Sequence, residues 1–413
     1  MANMDVFEIE LTGMAHGGSA LGKHNGRTVF VPYAIPGERV LARPVEIRGR
    51  AVFAEGVKLL EASTDRVYPT CRHFGPGRCG RCQWQHIDYA AQLLLKQDVL
   101  ADQLARIGGF DNADVRPVTP APLQWGYNCH MTMTAGEDGV PGFPAADGAG
   151  VVQIDECHIL HPDLLALYEA LDLRFDRLRR LTLRRGSDGA LMLIVTLADD
   201  EAPELQTDLP ASVNMLLSDG EPVNLIGETH TRWIVKDQVF RATAGSAFRP
   251  NVPQVAALVD HVLAALNPHG GAAVLDLYAG VGVFSAFVAP HVGLVTAVES
   301  FPPAATDAEI NLAAADNVDI IEGAVEDVLP ALETAYDAAV VDPPSDGLSL
   351  AAVDALAALN VPRLVYVSAD PATLARDAQR LARHGYALRY VQPIDLAPQT
   401  YYVEAVALLE RQA

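Results

Sequence analysis

Two groups of residues in this 413-residue chain have types and spacings that could do chemistry. The first is a set of thiols. Cys71, Cys79 and Cys82 lie in one loop bent by glycine and proline, with CxxC at Cys79 and Cys82, and Cys157 follows in Asp155-Glu156-Cys157-His158. Thiolates gathered on such a loop suit tetrahedral zinc or an iron–sulfur cluster, and spacing alone does not choose between them. Cys129 stands apart from the set and reads as a packing residue. The second group is the turn Ala279-Gly280-Val281-Gly282, which joins an apolar run, Val274–Leu277, to Val283–Val288. A strand, a glycine turn and a helix start let backbone approach a ligand closely. Ser285 occupies the place of a third glycine, so the dinucleotide pattern GxGxxG is not met. Glu299 ends the next apolar run, where a carboxylate suits a ribose diol. The combination points to an adenosine-type ligand without a pyrophosphate, such as S-adenosylmethionine.

These residues need elements to hold them. From Val252 onward helices and strands alternate, with strands expected at Val274–Leu277, Val292–Val298, Val318–Ile321, Ala338–Val341, Leu364–Ser368, Leu388–Ile394 and Val403–Leu409. Helices are expected at Val252–Leu266, Val283–Pro290, Pro303–Ala315, Val325–Glu333, Leu350–Leu359 and Pro371–His384. This is an α/β, doubly wound, Rossmann-like domain with its ligand crevices at strand carboxyl ends. Residues 5–60 read instead as several short strands, a small β-barrel of the OB type, with Arg43, Arg48 and Arg50 as a basic edge. Between them lies a mixed α+β region with helices at Asp88–Ile107 and Leu164–Leu171 and a basic run of Arg174, Arg177, Arg179, Arg180, Arg184 and Arg185. Domains are accordingly expected at 1–62, 63–242 and 243–413.

Composition narrows the function. The formal net charge is −22, which argues against generic polyanion binding. Residues 1–62 are neutral overall and 63–110 carry +2, so a nucleic acid would meet that first quarter of the chain. No apolar run approaches the ~20 residues of a membrane span, and Met1–Glu10 is acidic rather than a basic signal segment. A cytoplasmic, monomeric protein is expected, in which structural disulfides are not.

Several ordered motifs then converge. The cysteine set is followed by Trp84-Gln85-His86, and Ala244-Gly245-Ser246-Ala247-Phe248 precedes the glycine turn. Beyond it stand Asp342-Pro343-Pro344, Tyr366-Val367-Ser368 leading into Pro371–Asp377, and Pro398-Gln399-Thr400 before Val403-Glu404-Ala405-Val406. Nearly the whole chain thereby resembles the RNA (uracil-5-)-methyltransferase family, in its iron–sulfur branch with an N-terminal TRAM barrel. The resemblance implies a [4Fe-4S] cluster on Cys71, Cys79, Cys82 and Cys157. It implies S-adenosylmethionine in a crevice built by Phe248, Arg249, Asp276, Tyr278, Gly280, Gly282, Glu299 and Asp342, and a uridine of rRNA or tRNA flipped into the pocket. In the family a cysteine thiolate adds to uracil C6, C5 takes the methyl group, and a carboxylate, matched here by Glu404, removes the C5 proton.

The departures matter as much. Ala369 occupies the position of the nucleophilic cysteine. Ser345 stands where arginine is usual, Arg249 where a cofactor-contacting glutamine is usual, Asn128-Cys129 where a pair containing arginine is usual, and Tyr402 where histidine is common. An alanine methyl cannot add to C6. A methyltransferase with an altered acceptor and an inactive RNA-binding pseudoenzyme are therefore the two readings the sequence supports.

Overall fold

The computed structural model describes residues 5–171, 177–204 and 207–412. The chain opens with strands β1 (Phe7–Met14), β2 (Ala20–His24), β3 (Arg27–Val31), β4 (Arg39–Arg48) and β5 (Ala51–Glu61). They close into a five-stranded barrel in the order β1-β2-β3-β5-β4. Alternation explains the closure: Ile9 and Leu11, Val29 and Val31, Val40 and Ala42, and Val52 and Ala54 all point inward and pack together. The inward faces leave polar residues outside, and closure leaves no sheet edge unpaired.

Helix α1 (Tyr89–Arg106) follows, capped by Asp88, whose side chain accepts from the Ala90 amide. The central region holds β6 (His130–Ala135), β7 (Pro141–Pro144), β8 (Val151–Val152), α2 (Pro162–Glu169), β9 (Leu178–Arg185), β10 (Leu191–Leu197), β11 (Ala211–Leu216) and β12 (Pro222–Ile226). Its seven strands form one sheet, β12-β11-β10-β9-β6-β7-β8. The basic run lies on β9, apart from Arg174, which is outside the described residues, and Arg177 just before the strand. Three of its members are engaged within the chain: Arg184 is buried and donates to the Thr243 and Ser246 carbonyls, Arg185 pairs with Asp163, and Arg177 pairs with Asp199, while Arg179 and Arg180 are exposed.

A hairpin of β13 (His230–Val235) and β14 (Gln238–Thr243) comes next. Its Trp233, Val235, Phe240 and Ala242 join the same core as helix α3 (Val252–Leu266). The remaining elements are β15 (Ala273–Leu277), α4 (Val283–Val288), β16 (Leu294–Glu299), α5 (Pro302–Asn311), β17 (Val318–Glu322), α6 (Val325–Val328), β18 (Ala338–Val341), α7 (Leu350–Ala358), β19 (Arg363–Ser368), α8 (Pro371–Arg383), β20 (Tyr386–Ile394) and β21 (Glu404–Arg411). Their sheet has the order β17-β16-β15-β18-β19-β21-β20, with only β21 antiparallel to its neighbours.

Both faces of this sheet are covered, which its near-continuous apolar strands require. Val274, Val295, Val340 and Val365 face α3, α4 and α5, while Leu275, Leu277, Val341 and Tyr366 face α1, α7 and α8. Several expected helices end early, among them α5, which stops at Asn311 rather than Ala315, and α4 and α6. The stretches after α4 and α6 tighten into 3-10 turns, Ala289–His291 and Leu329–Ala331, because Pro290 and Pro330 lack the amide an α-helix needs. The last strand begins at Glu404 rather than Val403, after a turn in which Gln399 takes a left-handed φ of 70°.

Candidate active site

Strand order reverses about β15, with β16 on one side and β18 on the other, so the crevice opens at the carboxyl ends of β15 and β18. Tyr278, Gly280 and Gly282 all take positive φ there, 62°, 55° and 83°. A side chain on Gly282 would strike Leu312 at 2.7 Å, whereas among the described residues, chain neighbours aside, nothing lies within 4 Å of the place a Cβ would take on Gly280. The turn is thus packed on one side and open above Gly280. Because α4 has only six residues its dipole adds little; the open backbone is what a ligand meets.

Three carboxylates surround the turn. Glu299 accepts from the amides of Gly280 and Phe301, each at 2.7 Å, which ties the end of β16 to the turn. Asp276 is buried; its Oδ2 accepts from the Ser285 amide at 2.9 Å and hydroxyl at 2.6 Å, and its Oδ1 has no partner among the described residues. Burial is the main force on its carboxyl, which is pushed up to about 7 despite the Ser285 hydrogen bonds, with Asp342 and Glu299 adding repulsion. The folded-state value lies above the ordinary 3.8, so the folded chain holds this proton more tightly than the unfolded chain does. Its contribution is most favourable below about 3.8 and is lost as pH rises to about 7. Replacing Asp276 by Asn is expected to remove that fall: urea unfolding at pH 5 and pH 7.5 should show a smaller loss of stability in the variant than in the parent.

The third carboxylate, Asp342, faces an arginine. Arg249 makes a two-pronged pair with it, Nη1 to Oδ2 at 3.0 Å and Nη2 to Oδ1 at 2.8 Å. The same guanidinium donates from Nε to Glu404 Oε1 at 2.7 Å and from Nη2 to the same oxygen. Burial alone would lower its basicity, but Asp342 and Glu404 outweigh that and hold it firmly protonated. Arg249 therefore spans the crevice between the end of β18 and the start of β21.

Ala369 is exposed at the turn between β19 and α8. Ser368 Oγ accepts from the Asp370 amide at 3.2 Å, and Asp370 caps α8 by accepting from Thr373 at 2.8 Å. His16, from the barrel's first turn, sits 3.1 Å from the other oxygen of Asp370. Although burial opposes it, the His16 and Thr373 contacts hold the Asp370 carboxyl down at about 2. The barrel thus touches the residue next to Ala369, a contact no local motif announces.

The structure brings Arg249, Asp276, Gly280, Gly282, Glu299, Asp342 and Glu404 to one end of the sheet. Phe248 lies in the core, stacked on Trp233 with ring centroids 5.1 Å apart. Cys71, Cys79, Cys82 and Cys157 line a common small cavity of about 20 Å³, and burial pushes the Cys71 and Cys157 thiols up to about 11. Among the described residues no three histidine, cysteine or carboxylate side chains converge closely enough to hold a metal ion. An assembled metal centre, as the resemblance implied, is therefore not displayed; what remains is a set of four thiols facing one space. Cys129 packs at the edge of the C-terminal core.

The barrel's basic edge is largely neutralised: Arg48 pairs with Glu46 at 2.6 Å, Arg43 lies 3.6 Å from Glu55, and Arg50 donates to the Gly26 carbonyl. No helix among the described residues is long and apolar enough to cross a membrane.

Sheet order, glycine turn and flanking carboxylates together define an α/β domain of the methyltransferase type. Residues 230–412 match the family model described as tRNA (uracil-5-)-methyltransferase. An RNA methyltransferase of Streptomyces avermitilis is 34% identical over 426 residues, covering 98% of each chain. One of Halalkalibacterium halodurans is 33% identical over 447 residues, covering 98% of this chain and 97% of the other. The chain belongs to this family of RNA methyltransferases. Its fold is shared with the tRNA (uracil-54, C5)-methyltransferase of Pyrococcus abyssi, solved with S-adenosyl-L-homocysteine, at a TM-score of 0.74, 24% identity, and coverage of 98% of this chain and 100% of that one.

Proposed function

We propose that this protein binds S-adenosylmethionine at the Asp276–Gly282 turn, binds a structured rRNA or tRNA, and methylates an atom other than uracil C5. The residues fit the cofactor on three counts: the open space above Gly280, the unpartnered Oδ1 of Asp276, and Glu299 at the end of β16. When bound, S-adenosylmethionine supplies an electrophilic methyl carbon on a sulfonium. Gly282 lets the turn pack against Leu312 on its closed side, and Glu299 fixes the turn through the Gly280 amide.

One observation carries the choice of acceptor. The exposed residue between β19 and α8 is Ala369, and Glu404 is already held by Arg249. Uracil C5 is a poor nucleophile until a thiolate has added to C6. Without that thiol, transfer requires an acceptor with its own lone pair, a ring nitrogen, amine or hydroxyl. A second reading, a pseudoenzyme that binds RNA without turnover, is favoured by the span of Arg249 across the crevice. Mass spectrometry of rRNA and tRNA nucleosides from cells lacking the protein separates them. Loss of one methylated nucleoside other than 5-methyluridine is expected. An unchanged set supports the second reading, and loss of 5-methyluridine contradicts both.

The thiols Cys71, Cys79, Cys82 and Cys157 fit a [4Fe-4S] cluster by donor type and by facing a single space, and would hold it between the cysteine loop and the Ile154 to His158 stretch, beside Phe143 of β7. Protein purified without air should be brown and carry about four irons per chain. One equivalent of zinc with no iron would refute the cluster.

A further inference from the structure

A cavity of about 680 Å³ lies between the barrel, the cysteine loop and the turn before β21. Its aromatic lining is the notable feature. Phe30 and Phe53 stack with centroids 5.4 Å apart, and the Arg48 guanidinium sits 5.4 Å over the Phe53 ring. On the other side Tyr401 and Tyr402 lie 4.3 Å apart, and Tyr402 is half exposed. Tyr33, on a left-handed φ of 60°, also lines the space and packs edge-on against Phe74. Burial, with smaller repulsion from Cys79 and Asp147, pushes its phenol up to about 12, so it remains a neutral hydrogen-bond donor.

The charges around this space largely cancel. Arg66 is held by Glu38, and Glu55 lies beside Arg43, while Lys58 lines the cavity with no ion pair among the described residues. The cavity also adjoins the active site, because Gly17 and Gly18 of its wall follow His16, which pairs with Asp370 beside Ala369.

We infer that this cavity receives an unpaired nucleobase of the RNA, one adjacent to the nucleotide at Ala369, and grips it by stacking rather than by phosphate contacts. The inference rests on the reading that the chain binds RNA. Its physical basis is complementarity. Aromatic faces hold any base, each stacked base contributing enough that truncating its platform weakens binding about tenfold or more. A chain of net charge −22 cannot rely on counterion release as basic RNA-binding surfaces do. Lys58 then supplies one phosphate contact at the rim.

The test uses the full chain and a fluorescent oligouridylate of about eight nucleotides, within the range of site sizes for a single small barrel. Calorimetry with S-adenosylmethionine and thermal unfolding serve as controls of the fold. Phe53→Ala and Tyr402→Ala are each expected to weaken oligonucleotide binding about tenfold, and Lys58→Glu about threefold. Phe53→Ala and Lys58→Glu should leave cofactor affinity unchanged. The slope of log K against log salt should stay at about −1, the value for about one or two phosphates. Normal binding by both aromatic variants, or a slope of about −4 or steeper, overturns the cavity while leaving RNA binding intact. An absence of oligonucleotide and rRNA binding by the parent chain overturns the cavity and the RNA reading together. Should Tyr402→Ala misfold, Phe53→Ala decides alone.

Discussion

A chain carrying Ala369→Cys is expected to form a denaturation-resistant adduct with RNA containing 5-fluorouridine, yet to turn over ordinary uridine slowly. Adding Arg249→Gln is expected to raise that turnover by ~10²-fold or more, the usual scale of general-base catalysis. The two steps need different groups. Adduct formation needs a thiolate on an ordered turn, and the turn is ordered: Asp370 caps α8 and Ser368 Oγ braces the Asp370 amide. The introduced sulfur would bond to C6, and C5 would take the methyl group. Release needs a base to take the C5 proton as the C6–S bond breaks and the thiolate leaves. Glu404 is the group in place, but its Oε1 already accepts two guanidinium N–H groups from Arg249. Fluorine at C5 cannot leave as a proton, so the adduct accumulates whichever residue stands at 249. Parallel adduct gels and nucleoside analysis of both variants check this. Equal turnover in the single and double variants would show that Arg249 does not restrain the base.

Arg249→Ala is expected to destabilise the chain by about 3 kcal/mol, the low end of the range for removing one partner of a buried ion pair. The low end applies because the Arg249 side chain keeps 26% of its exposure, against 17% for Asp342 and 9% for Glu404. Without the guanidinium, Asp342 and Glu404 face one another uncompensated, near an Asp276 already pushed up to about 7. Repulsion raises carboxylate affinity for protons in the folded state, so the variant should regain part of its stability as pH falls from 7.5 towards 5. Arg249→Gln should cost less, since an amide still donates to one carboxylate. Urea unfolding across this pH range is the measurement, and a pH-independent difference between parent and Arg249→Ala would contradict the electrostatic account.

Much of this frame is readable from local pattern. Apolar runs with Asp276, Glu299 and Asp342 at or next to their ends predict strands whose ends meet at one crevice, because parallel strands buried on both faces leave few other arrangements. The barrel is readable for the same reason, through inward alternation at Ile9, Leu11, Val29 and Val31. Pairings across the fold are not readable. Arg249 could be marked as a departure from its family, but its grip on Glu404, 155 residues away, depends on how β18 and β21 are placed. Likewise Arg43 and Arg48 suggest a basic edge until Glu55 and Glu46 are seen beside them. Phe248 lies next to Arg249 in sequence yet turns into the core against Trp233, because neighbouring side chains leave the backbone in different directions. His16 meets Asp370 only because the barrel folds back onto α8.

The central claim is that this chain has a working methyl-donor site beside an acceptor site without a thiol. Incubating the parent protein with S-adenosylmethionine and 5-fluorouridine-containing rRNA and tRNA, then separating the products under denaturing conditions, tests it most directly. Calorimetry is expected to register the cofactor, and no protein–RNA adduct is expected to survive denaturation. A stable adduct on the unmodified chain would contradict the claim.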